Sequence, residues 1–260
     1  MSAPDVTQIQ SRDNTLLKDL RKLSQDPGAY RKLGRIWLEG DHLCRAARQR
    51  GVRPGLAVFS SSFWASSRFE WADAADKIAV VDDALLAGVS GLESPAPMGF
   101  VLHLPMRPEL QPDAPTVVLD RLQDAGNVGS ILRSAAAFGF TQIVALKGTA
   151  ALWAPKVLRA GMGAHFGLRL IEGVDLGVLD ALAVPMVATS SHRGEWLHRA
   201  RLPYPCAWLM GHEGQGVSTA LEERATHHIR IAQPGGEESL NVAAAAAICL
   251  HASGAVLADS

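Results

Sequence analysis

Residues 116–138 read TVVLDRLQDAGNVGSILRSAAAF, and this stretch decides the fold class. Residues 116–122 are apolar and β-branched, as a strand buried on both faces requires. A polar turn, Asp124-Ala125-Gly126-Asn127-Val128-Gly129, follows. Residues 128–138 then place their apolar side chains at helical spacing until Gly139. The same alternation continues downstream. Strands are expected at 142–146, 167–171, 185–188, 207–210 and 228–231, with helices near 155–160, 176–182, 218–224 and 240–257. Strands separated by helical segments predict an α/β fold with a parallel sheet covered on both faces. Ligands of such sheets bind beyond the carboxyl ends of the strands.

Upstream of this alternation, residues 102–116 carry four prolines among polar residues and read as a linker. The expected division is a first domain over 1–104, a linker over 105–115 and a second domain over 116–260. The first part reads as a small α/β domain. Helical spacing over 14–23 precedes a short strand at 35–39 ending at Gly40, and further strands are expected at 56–59, 78–81 and 99–104.

The 260 residues are 48% hydrophobic and 20% charged, as in a soluble globular protein. The apolar run 242–250 is too short to span a bilayer, and the start MSAPDVTQIQSRDN lacks a signal-peptide core. Cys44, Cys206 and Cys249 have no CxxC spacing, which predicts neither a disulfide framework nor a zinc cluster and fits a cytoplasmic protein. The net charge of −1 conceals an asymmetry: residues 1–53 hold 11 Lys/Arg against 6 Asp/Glu, and the remainder holds 14 against 20. A basic N-terminal face suits phosphate binding; a solvated helix surface is the equal alternative.

Three strand-end loops carry the chemistry. In the first, Asn127 and the flanking glycines make a strand-to-helix turn that Asn127 can cap. Arg133 is the sole charge of the following apolar helix, where it must reach either an anion or the surface. The second loop, Gly211-His212-Glu213-Gly214-Gln215-Gly216, lets backbone approach a ligand. Its GxxGxG spacing is not the dinucleotide fingerprint, no P-loop occurs, and His212-Glu213 lacks the second His of a zinc HExxH site. The third is Ser239-Leu240-Asn241, between a Pro234-Gly235-Gly236 turn and an Ala-rich helix. A plain helix cap is the rival reading of that triplet. Convergence of all three loops on one sheet edge predicts a site.

At these residues the chain resembles the SpoU (TrmH-like) branch of the SPOUT methyltransferases. The family pattern Asn-x-Gly…Arg is met by Asn127, Gly129 and Arg133. Gly-x-Glu-x-x-Gly is met by Gly211, Glu213 and Gly216, and Ile-Pro…Gly…Ser-Leu-Asn-Val by Ile231, Gly235, Ser239, Leu240, Asn241 and Val242. Ala125 and Ala232 stand where the family often has proline. The resemblance runs over 116–257; the N-terminal region, with Leu38-Glu39-Gly40 and a strand at 56–59, is similar more loosely to the family's ribosomal-protein-like RNA-binding domain.

The resemblance implies methyl transfer from S-adenosylmethionine to a ribose 2′-hydroxyl of structured RNA, with ribosomal RNA placed ahead of tRNA. A non-catalytic RNA-binding or ribosome-assembly protein on the same fold is the rival class. It further implies a deep trefoil knot and a homodimer through the C-terminal domain. Gly211, Ile231 and Leu240 would hold the cofactor through backbone groups, with Thr189 lining the pocket. Arg133 would anchor the RNA phosphate and assist loss of the 2′-hydroxyl proton. Asn127 would orient it, and Glu213, Ser239 and Asn241 would fix the network. No metal is called for, because the leaving group is already a cationic sulfonium. Arg21, Lys22, Arg31, Lys32 and Arg35 are the expected RNA phosphate contacts.

Overall fold

The computed structural model describes residues 5–190, 193–235 and 239–255. The chain groups into two compact units, one comprising Met1–Met106 with Trp153–Phe166 and the other Arg107–Leu152 with Gly167–Ser260.

The first unit runs β1 (Asp5–Ile9), α1 (Thr15–Gln25), α2 (Ala29–Leu33), β2 (Arg35–Glu39), α3 (Asp41–Gln49), β3 (Leu56–Ser60), α4 (Ser61–Trp71), β4 (Lys77–Val81), α5 (Asp83–Ala87) and β5 (Met98–His103). Its sheet has the order β1-β4-β3-β5-β2, parallel through β1, β4 and β3 and antiparallel at β5 and β2. Helix starts are fixed by short polar side chains. Asn14 Oδ1 accepts from the Leu16 N–H, Ser60 Oγ from Phe63 and Asp82 Oδ1 from Ala84. Leu17, Leu20, Leu38, Val58 and Phe59 are fully buried, each side chain contributing about 1.5–3 kcal/mol. Gly99 is required where Trp37 crosses β5: a Cβ there would lie 2.2 Å from the indole. The strand β1 has no counterpart in the sequence-based expectation, because four of its five residues are exposed and no apolar alternation marks it.

The second unit opens with β6 (Thr116–Leu119), α6 (Ala125–Ala137) and β7 (Gln142–Leu146). Next in the chain, α7 (Pro155–Gly161) clusters with the first unit. The second unit resumes with β8 (Arg169–Val174), β9 (Met186–Thr189), β10 (Glu195–Trp196), β11 (Ala207–Met210), α8 (Thr219–Glu222), β12 (His227–Arg230) and α9 (Val242–Gly254). Its sheet, ordered β10-β12-β9-β11-β6-β7-β8, is parallel at every pairing. The expected parallel α/β sheet is therefore present. The helix expected over 176–182 is instead a 3₁₀ segment, Leu176–Ala181, and the two-residue β10 is an addition.

One face of this sheet is filled by Val118, Val144, Ile171, Ala188 and Leu209. On α9, small side chains permit close approach to α6. A Cβ on Gly254 would stand 2.3 Å from the Phe138 carbonyl oxygen. The buried Trp208 indole N–H donates to Ser253 Oγ at 2.9 Å, tying α9 to β11. Among the described residues no helix is long and apolar enough to cross a membrane.

Candidate functional site

The carboxyl ends of β6 and β11 and the start of α9 bring three of the expected residues into one hydrogen-bonded chain. Asn241 is the N-cap of α9, its Oδ1 accepting from the N–H groups of Ala243 (2.9 Å) and Ala244 (3.2 Å). That leaves Asn241 Nδ2 to donate to Asn127 Oδ1 at 2.9 Å. Asn127 Nδ2 then donates to Glu213 Oε1 at 3.3 Å. The same carboxylate accepts from the Asp124 N–H at 3.1 Å and the Gln123 N–H at 3.4 Å. Each link dictates the next. The helix cap orients Asn241, which orients Asn127, and both side-chain amides donate in the direction of Glu213. Partial burial works to raise the Glu213 carboxyl, but its own N–H, the Asp124 N–H, the Asn127 amide and the Gln123 N–H outweigh it and hold the group below its ordinary value. Glu213 is thus an anionic acceptor at neutral pH.

One local expectation is corrected. The N-cap of α6 is Asp124, whose Oδ1 accepts from the Asn127 N–H at 2.7 Å. The helix begins at Ala125, so Asn127 lies in its first turn with its side chain released to Glu213 and Asn241. Ala125 occupies the first helical position, where the N–H has no partner within the helix. Proline is favoured there for that reason and alanine is a good helix former, so the exchange is structurally mild.

The second loop is closed tightly. His212 N–H donates to the Gly216 carbonyl at 3.0 Å, and Gly216 N–H donates back at 2.8 Å. Gly211 is buried, and a Cβ on it would fall 2.0 Å from the Val217 nitrogen and 2.1 Å from the Gly216 carbonyl carbon. His212 Nδ1 accepts from the Gly214 N–H at 3.0 Å, so a neutral His212 ring carries its proton on Nε2.

Two residues missed from sequence brace this loop against β6. The buried Asp120 accepts from the Ser218 N–H at 2.7 Å and from Arg121 Nε at 3.0 Å. Burial alone would raise its carboxyl; the Arg121 guanidinium and the Ser218 hydrogen bonds overcome this and leave it lowered. Arg121 Nη1 reaches Gln215 Oε1 at 3.0 Å, from a backbone at φ +59°, a costly left-handed conformation for this residue type. Their signal was the Asp-Arg pair ending the expected strand, which stops at Leu119.

The remaining site expectations lie apart from this network. Thr189 ends β9 and is half-buried, as is Ile231, just beyond β12; Ser239 and Leu240 are exposed. Arg133 is exposed on α6, so no buried charge demands compensation. It lies about 9 Å along the helix from Asn127 and about 120° around it, and it makes no hydrogen bond or ion pair with a described residue. The Gly211 N–H and both backbone groups of Ile231 likewise make no hydrogen bond with a described residue. No group of three His, Cys, Asp or Glu side chains is placed for a metal ion among the described residues.

In the first unit, the surplus of basic residues is partly cancelled: Arg45 pairs with Glu70, Arg48 with Asp73 and Arg53 with Asp76. Of the expected RNA contacts, Lys22, Arg31, Lys32 and Arg35 are exposed on α1, α2 and the start of β2. Arg21 is half-buried, its Nε donating to the Gly88 carbonyl at 3.3 Å, and Arg35 lies 3.9 Å from Asp19.

The model of the SpoU rRNA Methylase family matches residues 114–251. An uncharacterised tRNA/rRNA methyltransferase of Synechocystis is 32% identical, over 95% of this chain and 93% of that protein. The 23S rRNA (guanosine(2553)-2′-O)-methyltransferase RlmP of Bacillus subtilis is 28% identical, over 94% of this chain and 98% of its own length. A crystal structure of an RNA 2′-O ribose methyltransferase superposes with a TM-score of 0.78 at 29% identity, covering 95% of this chain and 98% of that one.

Proposed function

The chain belongs to the SpoU rRNA methylase family, and from that premise we propose that it methylates a ribose 2′-hydroxyl of ribosomal RNA, with S-adenosylmethionine as methyl donor. The observation that carries this reading is the directed chain from the α9 cap through Asn241 and Asn127 to the Glu213 carboxylate. It joins the three loops that hold the family motifs, and it is a poised polar arrangement that a helix cap alone would not need.

The residues present fit the cofactor. Gly211 has no room for a side chain, and the Gly211 amide and the Ile231 backbone have polar groups to spare. These two, with Leu240 and Thr189, would hold it. When bound, S-adenosylmethionine supplies a methyl group on a positively charged sulfur. The chain's own part is to hold the ribose oxygen in line and to ease removal of its proton. Arg133, exposed and without a partner among the described residues, anchors the phosphate beside that ribose. An arginine stays protonated, so Arg133 eases the loss of the 2′-hydroxyl proton through its charge, and the proton passes by way of the substrate phosphate to water. Asn127, fixed at both ends by Glu213 and Asn241, orients the nucleotide or Arg133, and Ser239 lies beside the cap. Glu213 serves as a fixed anchor for these amides.

The first unit selects the RNA in this reading, through Arg21, Lys22, Arg31, Lys32 and Arg35. The second unit is a knotted domain that pairs with its own copy. The knot rests on family membership and is supported by the strand order, in which β11 enters between β6 and β9 while β12 returns to the far side of β9. The pairing is supported by α9, where Ala244, Ile248 and His251 leave a largely apolar exposed stripe at helical spacing. The test is transfer of labelled methyl to total RNA, followed by mapping of the modified ribose. Label in ribosomal RNA is expected, and loss of it in Arg133→Ala with cofactor binding intact. Label confined to tRNA would move the substrate, and no transfer to any RNA would leave the non-catalytic rival. Full turnover by Arg133→Ala would remove Arg133 from its role.

A further inference from the structure

The carboxyl edge of the second sheet holds a cationic arrangement outside the site just described. Strands β10, β12, β9 and β11 are adjacent and parallel, so Trp196, Arg230, Thr189 and Met210 end at the same edge. Trp196 and Arg230 are register partners. The Arg230 guanidinium lies over the Trp196 indole, 4.0 Å from its centroid, and its Nε donates to the Gly194 carbonyl at 3.2 Å. That carbonyl is itself fixed by a glycine. Gly194 has φ +108°, and a Cβ on it would fall 2.2 Å from the His228 carbonyl oxygen.

Two contacts thus immobilise the plane of the half-buried Arg230 side chain, while its Nη groups make no hydrogen bond or ion pair with a described residue. Other arginines nearby are committed, Arg193 to Glu222 and Arg224 to Asp180. Immediately after β10, a turn closed by Arg199 N–H on the Trp196 carbonyl (2.8 Å) carries exposed Arg199 and Arg201. Neither has an ion-pair partner among the described residues. A flat, pre-oriented guanidinium whose Nη atoms have no partner among the described residues is a receptor for a phosphate, which it can bind through two parallel hydrogen bonds at little further entropic cost. Partial burial of a cation that no described acid pairs points the same way.

We propose that Arg230, together with Arg199 and Arg201, binds backbone phosphates of the substrate RNA beside the nucleotide held in the candidate site. The inference rests on the reading of this chain as an RNA methyltransferase. β12 lies two strand spacings from β11, about 10 Å, so one RNA strand can span both places. This contact belongs to the catalytic unit and is independent of the cations of the first unit.

The test is filter binding of protein-free 23S ribosomal RNA across roughly 50–200 mM salt, beside calorimetry with S-adenosylmethionine. Arg230→Gln is expected to weaken RNA binding about five- to tenfold and to flatten the log–log salt slope by about 0.7, the value of one phosphate on a single strand. Cofactor affinity is expected to stay within about twofold. The exposed double variant Arg199→Gln/Arg201→Gln should act in the same direction, and it decides the matter if Arg230→Gln fails to fold. Unchanged RNA affinity and slope in the folded variants overturns the proposal. So does a loss of cofactor affinity with RNA binding intact, which would place Arg230 in the cofactor pocket. A wild-type protein that binds RNA through Arg230 yet transfers no methyl group would sink the methyltransferase reading and leave the phosphate site standing.

Discussion

Replacing Gly211 by alanine puts a methyl group where no atom fits. The new Cβ would lie 2.0 Å from the Val217 nitrogen, 2.1 Å from the Gly216 carbonyl carbon and 2.4 Å from its oxygen. All three are backbone atoms, so relief requires the 211–218 loop to move by more than about 1 Å, since ordinary carbon contacts lie near 3.5–4.0 Å. That shift breaks the paired His212–Gly216 hydrogen bonds of 3.0 and 2.8 Å, each worth about 1 kcal/mol. It also strains the 2.7 Å bond from Ser218 N–H to the Asp120 carboxylate, worth about 1.5–3 kcal/mol. The closed loop therefore loses about 3–5 kcal/mol. If even the lower figure falls on cofactor binding, affinity drops at least about 100-fold. Calorimetric titration of Gly211→Ala with S-adenosylmethionine measures this directly, and thermal unfolding reports how much of the cost reaches global stability. Gly177→Ala is the control: the nearest atom to its Cβ is Asp180 Oδ2 at 4.0 Å, and neither measurement should change. A Gly211→Ala protein that binds cofactor within threefold of the parent, about 0.6 kcal/mol, refutes the argument that this loop must be closed.

The cap and the network can be separated at Asn241. Asn241→Asp keeps the acceptor for Ala243 and Ala244 N–H but loses the donor to Asn127; the unfolding midpoint should hold while methyl transfer falls at least about tenfold, whereas Asn241→Ala should also lose about 1 kcal/mol of stability. Equal activity in the Asp variant would show that the Asn127 link is idle. Ser253→Ala leaves the buried Trp208 N–H without its acceptor and should cost about 1–3 kcal/mol in urea unfolding, an unaltered midpoint being the contrary result. Asp120 and Glu213 are both lowered in the folded protein. The unfolded chain therefore takes up protons first on acidification, and their stabilisation is complete above the ordinary carboxylate range, about pH 4, and lost as pH falls through and below it. Asp120→Asn should flatten that acid loss in denaturant titrations; an identical pH profile would exclude its carboxylate as the source.

Much of the second unit could be read because its strands are apolar on both faces. Strands over 142–146 and 207–210 were expected exactly as observed because a buried parallel strand leaves an unbroken apolar run. The short edge strands β1 and β10 escaped for the opposite reason: exposed residues with little alternation leave no period to detect. In the site, the motif residues Asn127, Glu213 and Asn241 were legible and do meet. The direction of their hydrogen bonds was not, since it depends on which side chain caps which helix. Asp124 took the cap expected of Asn127 because α6 starts three residues earlier than its apolar period suggests. Asp120, Arg121 and Gln215 join residues more than 90 positions apart, and no local pattern marks such a brace. Nor does a window count of charge reveal that Arg45, Arg48 and Arg53 are matched by acids at 70–76.

The discontinuity of the first unit bears on how this protein is made. Its last element, Trp153–Phe166, emerges only after β6, α6 and β7 of the other unit have been synthesised. Val157 and Leu158 are buried, and Gly163 is placed so that a Cβ would meet Ala46 at 2.5 Å. A nascent chain ending near Met106 thus lacks part of its own packing. At about 5–20 residues per second the ribosome needs roughly 3–12 s more to supply it. Over that interval the first unit exists as an incomplete intermediate, and an expression clone cut at the proline-rich segment would preserve that intermediate permanently.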